Sequence, residues 1–235
     1  MPGQGQLEGE QMSFNAAIDG PAGAGKSTIA KKVAKELGFI YVDTGAMYRA
    51  IALYLLRNDI DCENEKQLEE ALAHLEVAIS YADGEQQVLL NGENVTSCIR
   101  TEEVGQMASK SSAKPIVRAK LLELQRSMAA ANDVLMDGRD IGTQILPDAQ
   151  LKVYLTASTG ARAKRRYLEL REKGQECSLE EIEREMEERD YRDMHRETAP
   201  LRQAEDAVLV DSSDMTIQEA VNRIVELVKE RRVWK

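Results

Sequence analysis

Residues 20–27 read GPAGAGKS, between the apolar run FNAAID (14–19) and the helix-forming stretch STIAKKVAKELG (27–38). The pattern G-x-x-x-x-G-K-[ST] set between a strand and a helix is a phosphate-binding loop, or P-loop. Its glycines let the backbone wrap close to phosphate oxygens, while its N–H groups and the helix N-terminus supply positive potential. Gly20, Pro21, Ala22, Gly23, Ala24, Gly25, Lys26, Ser27 and Thr28 are therefore the candidate site for a nucleoside triphosphate. Lys26 would bridge the β- and γ-phosphates and Ser27 would ligate Mg2+. A glycine-rich turn with no ligand does not explain a lysine at the helix mouth.

Outward from this loop, short apolar runs alternate with helix-period segments: FNAAID (14–19), FIYVD (39–43), DVLMD (133–137), LKVYL (151–155) and AVLVD (207–211). That alternation predicts an α/β protein with a five-stranded parallel sheet wrapped by helices. Ligands of such sheets sit beyond the carboxyl ends of the strands, so Asp19, Asp43, Asp137 and Asp211 are expected to face one crevice. Helix starts are marked by capping-box patterns at Ser178…Glu181 and Thr216…Glu219 and by Pro115 in a first turn. The stretch VAISYADGEQQVLLNGENVT (77–96) breaks the rhythm, because Asp83-Gly84 and Asn91-Gly92 are turn dipeptides between β-type runs. It reads as an antiparallel meander within an inserted subdomain spanning 63–100.

The 235 residues are enough for one domain carrying an insertion, and with 43% hydrophobic but only 4% aromatic residues the core must be mainly aliphatic. Against 31 Lys+Arg stand 41 Asp+Glu, a formal charge of -10 that repels polyanions over the surface. Nucleic acid and acidic membranes are thus poor partners, and an anionic ligand must be caught by local clusters of arginine. Cys62, Cys98 and Cys177 lack any paired spacing, which suggests neither disulfides nor a zinc site and fits a reducing, cytoplasmic setting. The longest apolar stretch, Ala50 to Leu56, is too short to span a bilayer. Residues 1–11 are polar and Gly-rich and read as a disordered leader, with Met12 a candidate start. With no long exposed apolar stripe, a monomer is expected.

Three further stretches gather charge. MDGRDIGT (136–143) sets Asp137 and Asp140 around Arg139, just after an apolar run. The strand end Asp137-Gly138 lacks the Asp-Glu pair with which hydrolysing ATPases often orient water, which leans toward transfer to an acceptor. Asp137 would serve the metal through its water shell. DTGAMYR (43–49) places Arg49 at the mouth of the same crevice, and with Arg139 it offers two guanidiniums able to fork onto an acceptor phosphate. The segment 158–175 is a basic island, and the acidic helix after it carries Arg189, Arg192 and Arg196 at spacings that can line one face. A solvated, ion-paired face would account for both.

AIDGPAGAGKST, DTGAMYR, DGRDIGT and RDYRDMHRETAPL together resemble the bacterial cytidylate kinases, in order from about Phe14 to the C-terminal helix. The resemblance implies a three-layer P-loop fold with a core of 12–62 and 101–235, a nucleoside-monophosphate-binding insert at 63–100 and a helical lid at about 158–176. It implies ATP as donor and CMP or dCMP as acceptor. Arg49 and Arg139 match residues that hold the acceptor phosphate, and Thr44, Arg118, Asp140 and Arg196 those that read cytosine. Thr44 is often serine in the family, a swap that keeps the hydroxyl. Ser109, Arg189 and Asp193 match sugar contacts, and Arg162, Arg165 and Arg166 fall in the lid. Lys26, Arg139, Arg162, Arg165, Arg166 and Arg189 form the implied catalytic set, with Ser27 and Asp137 on the metal.

Cytosine presents an amino donor beside two acceptors, so its reader needs a carboxylate next to donors, which Asp140, Arg118 and Arg196 supply. Uracil would set a carbonyl against Asp140, so CMP and dCMP are expected to be favoured over UMP. A nucleotide phosphate is already ionised at neutral pH, so positioning and charge neutralisation suffice and no general base is required. His195 reads as incidental to the chemistry and His74 as structural or exposed. Another small-acceptor P-loop kinase, or a nucleotide-dependent switch without transfer, are the competing readings.

Overall fold

The computed structural model describes residues 13–232. The leader at 1–11 and the start at Met12 lie outside the described residues. Strand β1 (Asn15–Asp19) lies at the middle of a five-stranded parallel sheet, between β6 (Val134–Gly138) and β7 (Leu151–Thr156). Beyond β6 lies β2 (Ile40–Asp43), and beyond β7 lies β8 (Val208–Asp211). The three inner strands and β2 bury both faces, as the apolar runs require. Ala16, Ile18, Tyr41 and Leu135 face a core built with Ile29 and Val33 of α1 (Lys26–Leu37) and Val221 and Ile224 of α8 (Ile217–Arg231). Ala17, Val42 and Met136 face the opposite core, with Met47 and Ile51 of α2 (Thr44–Arg57) and Val117 and Leu121 of α5 (Pro115–Ala131).

The meander forms as the turn dipeptides predict. β3 (Val77–Ala82), β4 (Glu85–Leu90) and the short β5 (Glu93–Asn94) make an antiparallel sheet after α3 (Glu65–Ala73). Its turns hold Asp83, Gly84, Asn91 and Gly92 at positive φ, the conformation that favours Asn/Asp-Gly pairs. Leu68, Leu72, Val88, Leu90 and Val95 join the same apolar cluster as α2, so the insert shares its core with the sheet's α2 face. Helix α4 (Glu102–Ser111) then leads back to α5.

Two local expectations are corrected. Thr216 and Glu219 form a complete capping box, but Ser178 forms half of one. Its hydroxyl accepts from Glu181 N at 3.4 Å and donates to the Glu180 carboxylate at 3.0 Å, without the return bond from the Ser178 backbone N–H to the Glu181 side chain that completes the box. Asp211 does not join the crevice: at the solvent side of edge strand β8 it is exposed and accepts from Ser213 N and Oγ. Among the described residues no helix is long and apolar enough to cross a membrane.

Candidate active site

The P-loop leaves β1 at the centre of the sheet. Gly20 has no substitute, because a Cβ there would lie 1.9 Å from the backbone oxygen of Leu155. Lys26 opens α1 and folds its amine back over the loop, donating to Gly20 O at 2.8 Å and Pro21 O at 2.7 Å. Burial, then the neighbouring Arg139, pull its pKa well below the usual lysine range. Ser27 Oγ donates to Asp137 Oδ2 at 3.0 Å, and Tyr41 OH donates to the other carboxylate oxygen at 2.8 Å. Burial and the nearby Asp43 raise the Asp137 pKa. A hydroxyl and a carboxylate, both hard oxygen donors, meet beside the loop and would suit Mg2+. Thr28 is exposed on the first turn of α1, while Pro21 and Ala24 are buried and Ala22 half-buried in the loop.

On the other side of Asp137 three arginines converge. Arg139 Nε donates to Asp193 Oδ2 at 3.0 Å, and Arg49 Nη1 donates to Ile99 O at 3.2 Å. Arg49 lies against Gly105 of α4, where a Cβ would approach its guanidinium to 3.0 Å. Among the described residues the Nε of Arg189 is buried with no hydrogen-bond partner. Burial and the charge of Arg139 lower the Arg189 pKa to about 10, and burial and Arg100 lower that of Arg49. Like charges gathered out of water with an unused donor are unfavourable alone and are relieved by an anion.

The residues expected to read the base also lie together. Asp140 is buried with its Oδ2 against Arg118 Nη2 and its Oδ1 3.5 Å from Arg196 Nη2. Burial raises the Asp140 pKa while Arg118 and Arg196 oppose that rise. The Arg118 guanidinium sits 5.5 Å from the Tyr48 ring centroid. Thr44 Oγ1 donates to Asp137 O at 2.8 Å, so its lone pairs remain to accept. Ser109 is half-buried on α4. On α7 (Leu179–His195) the inward positions are Arg189 and Asp193, continued by Arg196 beyond the helix end, whereas Arg192 is exposed. Of the three arginines expected on one face, Arg189 and Arg196, seven residues apart, share the site and Arg192 between them does not. His195 stacks on Tyr191 at 4.0 Å and is exposed.

The basic island forms α6 (Thr159–Glu172), and its arginines are engaged unequally. Arg162 is buried and donates to Ala22 O at 2.9 Å, Ala157 O at 2.9 Å and Asp190 Oδ2 at 2.6 Å, tying α6 and α7 to the P-loop. Met186 of α7 packs over the loop, near enough that a Cβ on Gly23 would meet it at 3.2 Å. Arg165 donates to Ser212 O at 2.5 Å, and Arg166 is exposed and pairs with Glu169. The structure therefore brings Arg162 to the loop and leaves Arg165 and Arg166 outside it.

Tyr41, Asp190 and Asp19 are polar site residues that the sequence pattern did not single out for these contacts. Asp19 accepts from Ile141 N at 2.8 Å and Gly142 N at 2.7 Å, holding the turn of π-helix that follows Asp140 (Ile141–Ile145). Its position at a strand end was visible, but its partners 122 and 123 residues away were not. Tyr41 reads as one more alternating strand residue, and nothing local marks its hydroxyl.

A parallel sheet with a P-loop at its central strand and a second polar set across the crevice defines a P-loop protein of the α/β kinase type. A family model for cytidylate kinase matches residues 16–230. A cytidylate kinase from Lactobacillus johnsonii is 48% identical over 219 residues, covering 93% of this chain and 95% of that protein. One from Caldicellulosiruptor saccharolyticus is 51% identical over 214 residues, covering 91% and 95%. The chain belongs to the cytidylate kinase family. The crystal structure of an uncharacterized protein from Eubacterium ventriosum shares the fold, with a TM-score of 0.50 at 12% identity over 93% of this chain and 100% of that one.

Proposed function

We propose that the chain transfers the γ-phosphoryl of Mg·ATP to CMP or dCMP, giving ADP and CDP or dCDP. The observation that carries this reading is the buried Asp140 carboxylate held between Arg118 and Arg196, a donor–acceptor set complementary to cytosine, next to the P-loop. A nucleotide-dependent switch has no use for such a set, and a kinase of a non-nucleotide acceptor has no use for a carboxylate between two donors.

The roles follow from chemistry and placement. Lys26 gives up its carbonyl contacts to the β- and γ-phosphates, a move helped by its depressed pKa being reversed by phosphate charge. Ser27 and Asp137 would hold Mg2+, which would supply charge neutralisation on the phosphates. Arg49 and Arg139 receive the acceptor phosphate, and Arg189 offers its unpaired donor where charge builds between donor and acceptor. Asp193, already steadying Arg139, and Ser109 take the sugar, while Thr44 joins Arg118, Asp140 and Arg196 on the base. Arg162 holds the lid helix against the loop. Arg165 and Arg166 must exchange the Ser212 carbonyl and Glu169 for phosphate oxygens. The insert at 63–100 serves the acceptor side and 158–176 the lid. An ADP-release assay coupled to NADH oxidation, run with CMP, dCMP, UMP, AMP and shikimate, tests the proposal. CMP and dCMP should stimulate most; no stimulation by CMP overturns it.

A further inference from the structure

The edge of the main sheet at β2 is closed by side chains of the insert. Among the described residues β2 pairs with no strand but β6, so the backbone groups of Tyr41 and Asp43 at its other edge have no strand partner. The hairpin β3–β4 meets that edge with one cross-strand pair, Tyr81 opposite Gln86. Such directly opposed residues project from the same face of the hairpin. Tyr81 OH donates to Tyr41 O at 3.0 Å. The Gln86 amide makes two bonds: Oε1 accepts from Asp43 N at 2.9 Å and Nε2 donates to Asp43 O at 3.2 Å. A buried glutamine thus replaces the missing neighbour strand at one residue.

That residue controls the start of α2. Asp43 Oδ1 accepts from Ala46 N at 2.9 Å as the helix cap, and Oδ2 pairs at 2.5 Å with Arg100, at the end of the insert. Every polar atom of Asp43 is therefore committed, three of them to the insert or the segment leaving it. Thr44 follows Asp43 directly, and Arg49 lies further along the same helix. The backbone that aims both is clamped by Gln86.

We propose that Gln86 is a positioning residue for the acceptor nucleotide: its amide locks Asp43 and so sets Thr44 and Arg49 relative to the sheet. This rests on the acceptor-side roles given above for Thr44 and Arg49. Steady-state KM values for CMP and for ATP in Gln86→Leu test it, with Tyr81→Phe as the control that loosens the same docking without touching Asp43. Gln86→Leu should raise the CMP KM about tenfold, as expected for losing a buried hydrogen-bonding pair, and leave the ATP KM within about twofold. Tyr81→Phe should leave the CMP KM within about twofold. Should Gln86→Leu not fold, Gln86→Met, which keeps the length of the side chain and loses both bonds to Asp43, should raise the CMP KM about tenfold at unchanged ATP KM. An unchanged CMP KM overturns the proposal, as does a parallel rise in both KM values or an equal effect of Tyr81→Phe. Wild-type protein that CMP does not stimulate would instead overturn the proposed reaction.

Discussion

Asp140→Asn separates base recognition from folding more sharply than any other substitution. The Asp140 side chain is 4% exposed, and its partners Arg118 and Arg196 are 11% and 9% exposed. Removing the side chain would strand two buried guanidiniums, a penalty of about 3–5 kcal/mol that confounds folding with function. Asparagine keeps the volume and one acceptor oxygen for the arginines, and turns the second oxygen into an amide donor. Cytosine's amino group then meets a donor where it had a charged acceptor. Losing a charge-assisted bond is worth about 1.5–3 kcal/mol. At 1.4 kcal/mol per tenfold that lowers kcat/KM for CMP roughly 10- to 150-fold. The carbonyl of uracil finds a new donor, so UMP turnover should hold or rise and the CMP/UMP ratio should collapse. The coupled ADP-release assay with both nucleotides measures that ratio, and calorimetric titration with a non-hydrolysable ATP analogue measures the donor site. An unchanged CMP/UMP ratio, or an equal loss of ATP-analogue affinity, would refute the assignment of Asp140 to the base.

Lys26→Ala should depress kcat by at least about 100-fold, with a smaller change in ATP KM, because the amine acts on charge that develops in transfer; turnover near wild type would contradict the P-loop roles. Tyr41→Phe frees Asp137 Oδ1 and should weaken the metal about tenfold, read as the Mg2+ needed for half-maximal rate and as Mn2+ affinity by electron paramagnetic resonance in the ATP complex. Identical metal dependence in both measurements would remove Tyr41 from the metal's support. Asp19 titrates in the stability of the free protein. Burial raises its pKa from 3.8 to about 6, so the folded chain holds a proton that the unfolded chain releases between those values. Its stabilising contribution is complete below about pH 4 and is lost as pH rises through about 6. Asp19→Asn removes this dependence, so its Tm relative to wild type should be higher at pH 7 than at pH 4. A Tm difference independent of pH would show that Asp19 does not titrate in this way.

Local physics made much of the molecule legible from its sequence. Parallel strands buried on both faces must be mostly apolar, and the three inner strands and β2 read that way, as does β8 at the exposed edge of the sheet. Asn-Gly and Asp-Gly impose positive φ wherever they fall, so the insert's turns were readable from dipeptides. The P-loop encodes strand, turn, lysine and helix within a dozen residues, and each part constrains the next. Arg189, Asp193 and Arg196 share a face by helical period, yet the same period could not say that Arg192, three residues from Arg189, points to solvent.

What the chain alone determined were features whose cause lies within a turn or a strand: the loop, the five runs, the hairpins and the helix starts at Thr216 and Pro115. Strand order was decided by packing, and with it the fate of strand-end carboxylates, since Asp19 and Asp137 fall at the centre while Asp211 falls on an exposed edge. Tertiary structure alone likewise brought Arg118, Asp140 and Arg196 together from three separate segments, leaned Tyr41 on Asp137, and set Gln86 on the edge of β2. These contacts join residues far apart in the chain, and burial makes each one costly to leave unpaired. No local pattern records such a debt; only the folded arrangement shows which polar groups lost water and what replaced it.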